Sequence, residues 1–305
     1  MKMANIVGIG ANVYDTLITV ESYPKEDTKK KASSTKTSGG GPCATGLVAS
    51  SKLGESAAFI GTVTDDAASN FLVADFEKYG VCTEFINRKD GYRAFSSYIL
   101  LCEDTVSRTC VFDRGKIPPT ELNEAQIEAI KNAKILMVDG NDLSAAIEGA
   151  KIAKENGTKV LYDAGGLYEG IENLLPYADY LIPSEEFALG HTGAKTAEDA
   201  AKILFEKYSP LVVVVTQGKK GGIMYDGEKV TEYPAFPVDA VDSNGSGDVF
   251  HGAFAFSLCM EYNYYKSCVF SSAVSALKCT KVGSRSAVPT FHETVEFLKE
   301  RGVNV

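Results

Sequence analysis

The sequence predicts an α/β protein: a three-layer α/β/α fold with a mostly parallel central sheet and a small inserted β-sheet. Three observations carry that prediction. Short apolar runs alternate with helix-length segments along most of the 305 residues. The clearest run, Leu211 to Val215, is almost entirely valine, as expected of a strand buried on both faces. Two stretches, about 14–37 and 83–112, break the alternation and read as strands of a second sheet.

Taken in order, the chain opens on a strand, Ala4 to Gly10. Its apolar run is too short for a secretory signal and meets Asp15 early. The polar, β-branched stretch that follows holds a lysine cluster at 29–31, which reads as a solvated face. Ser38-Gly-Gly-Gly-Pro42 then introduces a helix over Cys43 to Leu53. A strand at Ala57 to Gly61 and a helix over Asp66 to Tyr79 continue the rhythm. Ala94 to Cys102 and Val106 to Phe112 form a hairpin around Glu103-Asp104-Thr105. Further strands follow at Ile135 to Asp139, Lys159 to Asp163, Tyr180 to Pro183 and Leu211 to Thr216. Between them lie a helix over Ser144 to Asn156, closed by Gly157, and one opened by Thr196 with Asp199 three residues on. The order implies right-handed crossovers in one domain, 1–305, with the small sheet placed as a lid.

Composition narrows the function. The balance of 31 basic against 40 acidic residues, a net charge of −9, argues against nucleic acid or an anionic membrane as partner. No window reaches the roughly 18 apolar residues of a membrane helix. Seven cysteines with no C-x-x-C pair predict buried, reduced thiols and a cytoplasmic protein. Three scattered histidines with no H-E-x-x-H argue against zinc.

The densest chemistry lies in Val241-Asp-Ser-Asn-Gly-Ser-Gly-Asp248, which runs into an apolar helix from Val249 to Met260. Gly245, Ser246 and Gly247 allow backbone N–H groups to converge at a helix N-terminus, which favours an anion. An Asn-Gly hairpin turn, or a lone acid complementing the helix end, accounts for the same residues. Two further glycine clusters, 39–41 and Thr216-x-Gly218 with Gly221-Gly222, fall where α/β sheets bind ligands or simply turn. Asn12 and Asp15 suit sugar hydroxyls or an Asx turn. There is no G-x-x-x-x-G-K-[ST], and Gly8-Ile-Gly10-Ala-Asn-Val13 lacks the third glycine of a dinucleotide fingerprint.

Together these stretches resemble the PfkB, or ribokinase-like, family of carbohydrate kinases, collinearly over nearly the whole chain. Asp242-Ser-Asn-Gly-Ser-Gly-Asp248 is similar to the family's D-T-x-G-A-G-D, with Phe250 and Gly252 following in place. Gly39-Gly-Gly-Pro42, Gly10-Ala-Asn12-x-x-Asp15, Gly61-Thr-Val-x-x-Asp66, Ala178-Asp-Tyr-Leu-Ile-Pro183 and Thr216-Gln-Gly218 match other family elements in order. The resemblance implies a ribokinase-like fold and transfer of phosphate from ATP, with Mg2+, to a sugar hydroxyl. It implies Asp248 as general base and Gly245, Ser246 and Gly247 as anion hole. Asp242, Thr216, Gly218 and Gly221 would face the nucleotide, and the 279–288 loop its adenine. Asn12, Asp15, Gly40 and Gly41 would hold the sugar, under a lid that pairs two subunits in a homodimer.

Three departures stand out. The sugar-contacting asparagine of the glycine signature is placed at Ala44. The magnesium-linked N-x-x-E reads Ser184-Glu-Glu-Phe187, so Glu185 or Glu186 would take that role. Residues 279–288 leave a monovalent cation beside Asp242 undecided. Arg93, Arg108 and Arg114 near the lid would face an anionic substrate or be ordinary hairpin charges. A nucleoside kinase with a base pocket at Tyr98 or Phe112, and a ligand-binding protein without turnover, are the alternative readings.

Overall fold

A computed structural model describes residues 4–105 and 107–304. Nine strands form the large sheet: β1 (Ile6–Ile9), β4 (Ala57–Val63), β5 (Ile86–Arg88), β8 (Ile135–Val138), β9 (Lys159–Ala164), β10 (Tyr180–Pro183), β11 (Val212–Thr216), β12 (Gly222–Tyr225) and β13 (Val230–Tyr233). Their order is β13-β12-β11-β10-β9-β8-β1-β4-β5, parallel except where β12 and β13 turn back at one edge. Four strands form the small sheet, in the order β3-β2-β6-β7: β2 (Val13–Val20), β3 (Ser34–Gly40), β6 (Ser96–Cys102) and β7 (Ser107–Asp113).

Alternation along the parallel strands divides the core. Ile6, Met137, Leu161 and Val214 face one side, packed on α1 (Pro42–Leu53), α2 (Ala67–Lys78), α7 (Ser246–Cys259), α8 (Tyr264–Cys279) and α9 (Phe291–Lys299). Val7, Leu136, Val160 and Val213 face the other, against α3 (Glu124–Asn132), α4 (Leu143–Asn156), α5 (Glu185–Thr192) and α6 (Ala197–Tyr208). Helix ends follow local chemistry. Asp66 caps α2 through Ser69 N–H at 2.7 Å, and Gly157 ends α4 at φ 84°.

Two boundaries differ from the sequence reading. Strand β5, inside the 83–112 stretch, pairs parallel with β4 and completes the large sheet rather than the small one. Its three residues carry too little pattern to declare a partner. Val106, expected in the hairpin, lies outside the described residues, and β7 begins at Ser107. The cysteines are free, but Cys110 stands exposed on β7 instead of buried. No helix among the described residues is long and apolar enough to cross a membrane.

Candidate active site

The C-terminal ends of β1, β8 and β9 meet the small sheet and the start of α7, bringing Asp139, Asp163 and Asp15 within electrostatic reach of Asp248 at the edge where open α/β sheets collect ligands. Asp139 follows β8 directly. Its Oδ2 accepts the N–H of Ala11 at 2.9 Å and of Cys43 at 3.0 Å, and its Oδ1 accepts that of Asn141 at 2.9 Å. One carboxylate thus fastens the β1–β2 turn to the first turn of α1, where a negative charge complements the helix end. A Cβ on Gly10 would run into this carboxyl group, so the turn needs glycine there.

On the small-sheet side, Asp15 is buried and accepts the Ser97 hydroxyl at 2.6 Å. Burial raises its pKa, while the Ser97 bond and the Arg285 charge oppose that rise. Gly40 lies against the Asp15 carboxylate with no room for a side chain. Gly41, at φ 92°, lets the chain turn from β3 into α1. Arg285 is buried beneath them. It donates to Asp75 Oδ2 at 2.7 Å, to Asn12 Oδ1 at 2.8 Å and to the Gly40 carbonyl at 2.6 Å. Because Asn12 gives its oxygen to Arg285, its Nδ2 is left buried without a partner. The predicted sugar residues Asn12, Asp15, Gly40 and Gly41 are therefore brought together, with one free donor among them. Ala44 is fully buried and holds the Ala11 carbonyl through its N–H at 3.2 Å. The neighbouring Thr45 hydroxyl is buried without a partner.

Asp248 occupies the first turn of α7, and Gly245 at φ 74° swings the chain into that helix. Burial pushes the Asp248 carboxyl up to about 7, Asp163 adds to the rise, and His251 opposes it. Asp163, on β9, is buried with Oδ2 lacking a hydrogen bond, and burial raises its pKa well above the usual range. That oxygen lies 3.2 Å from His251 Nδ1. The imidazole is surrounded by acceptors: Nδ1 is 2.6 Å from the Gly247 carbonyl and Nε2 is 2.9 Å from that of Ile182. Burial pulls the ring's pKa down, and these two carbonyls push it up.

First-turn N–H groups of a helix have no intrahelical acceptor, which leaves the start of α7 rich in donors. Ser246 is an exception to the expected trio, because its N–H donates to the Ser243 carbonyl at 3.2 Å. Asp242 also departs from expectation. Its Oδ1 accepts Asn244 N–H and its Oδ2 accepts Gly283 N–H, both at 2.8 Å. Its carbonyl accepts the buried Lys278 ammonium at 2.7 Å, and that ammonium lies 3.9 Å from Oδ1. A residue whose three oxygens already face donors, one of them a fixed cation, does not fit a monovalent metal ion.

The residues expected on the nucleotide side lie at the ends of β10 and β11. Ser184 bridges to Thr216, and Gln217 donates to Glu185 Oε1 at 2.7 Å. Glu185 and Glu186 sit in the first turn of α5, Glu186 turned to solvent. Among the described residues no cluster of three or more His, Cys, Asp or Glu side chains could cage a metal. Magnesium ordinarily takes one or two carboxylates plus phosphate oxygens, and Glu185 fits that lighter role. Gly221 packs against the Tyr233 carbonyl at φ 87°, so its glycine answers to backbone crowding, not to a ligand. Of the three arginines, Arg93 pairs with Asp113 at 2.8 Å, and Arg114 lies over Phe95, Phe112 and Tyr168. Only Arg108 turns to the 242–248 loop, donating to Asn244 Oδ1 at 3.0 Å.

A cavity of about 550 Å³ adjoins Asn12 and runs outward between Phe59, Leu72, Phe95 and Leu143, with Arg114 on its wall. Tyr98 and Phe112, the expected base-pocket residues, do not line it. Residues 139, 163, 251, 278 and 285 were not singled out by the sequence. The aspartates closing the 135–139 and 159–163 runs were the available signal, since strand C-terminal ends face ligands.

A family profile described as pfkB family carbohydrate kinase matches residues 3–291. Ribokinase from Haemophilus influenzae is 27% identical over 297 residues, covering 95% of this chain and 97% of that protein. The 5-dehydro-2-deoxygluconokinase of Clostridium beijerinckii is 28% identical over 288 residues, covering 86% of this chain and 84% of its own. The solved Arabidopsis thaliana ribokinase, complexed with ribose and ATP, superimposes with a TM-score of 0.87 at 26% identity, covering 97% of this chain and 99% of that one. A profile satisfied almost from end to end, on a backbone that follows a ribokinase throughout, makes this chain a member of the pfkB family of carbohydrate kinases.

Proposed function

We propose that the chain transfers the terminal phosphoryl group of ATP, with magnesium, to a hydroxyl of a small sugar or sugar derivative. The observation that carries the reading is Asp248: a carboxyl pushed up to about 7, placed on donor-rich helical backbone beside an acid-lined cleft. A base with that pKa accepts a hydroxyl proton at neutral pH, where about half of it is ionised. As the sugar oxygen attacks, the N–H groups around Gly245, Ser246 and Gly247 meet the charge on the moving phosphoryl, with Ser246 released from Ser243 to join them. Asn12 Nδ2, Asp15 and the backbone at Gly40 and Gly41 orient the sugar; Thr216, Gly218 and Glu185 face ATP and its magnesium, which would neutralise phosphate charge. The chain works as one unit, with the small sheet as a lid that excludes water. Relatives acting on ribose and on a deoxygluconate derivative support a small carbohydrate acceptor.

The lid's outer strand supports a homodimer. Tyr98, Val111 and Phe112 are 53%, 64% and 58% exposed on β6 and β7, and β7 is an unpaired edge. The largely apolar cavity beyond Asn12 favours a second reading, a nucleoside acceptor whose base would lie between Phe59 and Phe95. ADP release with ATP and magnesium, over a panel of neutral sugars, anionic sugars and nucleosides, separates the two. Turnover on one sugar class, falling about 10²–10⁴-fold in Asp248→Asn, is the expected result. Turnover on nucleosides alone installs the second reading, and silence across the panel with ATP still bound removes both.

A further inference from the structure

Lys278 is a charge the proposed mechanism does not use. It is the penultimate residue of α8, and its side chain is wholly removed from solvent. Buried lysines are rare because desolvating an ammonium is costly unless an acceptor compensates. Here the acceptors belong to one residue, Asp242, through its carbonyl at 2.7 Å and its carboxylate at 3.9 Å. Asp242 in turn holds Asn244 and Gly283, and its own N–H reaches the Cys279 carbonyl at 3.1 Å. Ser275 adds a bond from α8 to the Ser246 carbonyl at 2.9 Å. The ammonium therefore sits under the loop that leads to Asp248, where a small monovalent cation would otherwise organise carbonyls and a carboxylate. Burial lowers its pKa, while the charges of Asp242 and Asp248 raise it.

We propose that Lys278 is a built-in replacement for a monovalent cation, holding the 242–248 loop ready for phosphate so that this kinase works without potassium, sodium or ammonium in solution. The proposal rests on the kinase reading, and Lys278 acts as a positioning residue through Asp242. A tethered ammonium is always present at unit occupancy, so loop order is independent of salt identity. Removing it should open a space that a free cation of similar size can enter.

The test measures ADP release in buffer whose only cations besides magnesium are bulky organic amines, then with potassium, sodium, ammonium or caesium at constant ionic strength. Wild type should give the same rate in all of them. Lys278→Met should be slower by about 10–100-fold in the bulky-amine buffer, as for residues that orient a charged centre, and regain activity with added ammonium or potassium. Saturable activation of the wild type by potassium overturns the proposal, as does a Lys278→Met enzyme with wild-type rate in every buffer. If the variant does not fold, the wild-type series decides alone. If no buffer gives turnover, the kinase reading fails, and the ATP-induced rise in wild-type Tm, with and without potassium, decides instead. Equal rises show that the loop is ordered for phosphate without a free cation, so that the kinase reading alone has failed, and a rise that needs potassium overturns the proposal.

Discussion

Asp248 and Asp163 are two acids raised chiefly by burial, and the charge of Asp163 adds to the rise of Asp248. The proposed base acts only when ionised, so kcat/KM should climb with pH and level off above about 7. Removing the neighbouring negative charge in Asp163→Asn should move that rising limb to lower pH, as read from pH–rate profiles. A limb that stays in place would mean that burial alone sets the base. The same shift has a stability consequence with a definite sign. Asp248 in the fold holds its proton between 3.8 and about 7, where the unfolded chain has lost it. The fold therefore binds more protons across that window, and its stability falls as pH rises through it. Asp163→Asn, which relieves the crowding, should melt higher than wild type on the alkaline side of the window.

At the scale of elements, α7 is held by close contact as much as by bonds. Gly252 lies against the Gly46 backbone of α1, and a Cβ there would overlap the Gly46 carbonyl. Backbone cannot retreat as a flexible side chain does. Gly252→Ala should destabilise the protein by about 1–3 kcal/mol in denaturant unfolding, by forcing α1 and α7 apart. An unchanged midpoint would show that the helices slide to accommodate a methyl group. The sequence announced α7, its two glycines and Asp248, because two glycines one residue apart before an apolar run are a local signal. It also announced Asn12 in the β1–β2 turn, Asp15 on β2 and Gly40 on β3. It did not announce Arg285 or Lys278, since a basic side chain near a helix end normally points to water and only the tertiary fold reveals its burial. Nor did it reveal that Asp242 and Ser246 are occupied by their own loop. The three arginines looked alike in sequence, and only the register of β7 aims Arg108, not Arg93, at Asn244.

At the scale of the molecule, the small sheet meets the rest of the chain at one end, where Val13, Gly40, Ser96 and Asp113 of its four strands lie side by side. Its open edge at β7 carries the exposed apolar surface on which the homodimer is proposed. A charge placed there, as in Val111→Glu, should shift the protein from dimer to monomer in sedimentation equilibrium. A wild type that is already monomeric at high concentration would dispose of the dimer. Arg285 and Gly283 lie two residues apart on one loop, the first fastened to Asn12 and Gly40, the second to Asp242. The proposed acceptor subsite and the proposed phosphate-side loop therefore share a single mechanical support. Linkage then requires reciprocity: whatever factor the sugar contributes to ATP affinity, ATP contributes to sugar affinity. Neither dissociation constant belongs to its own subsite. Each is conditional on the occupancy of the other, and the order in which the two substrates arrive leaves the ternary complex unchanged.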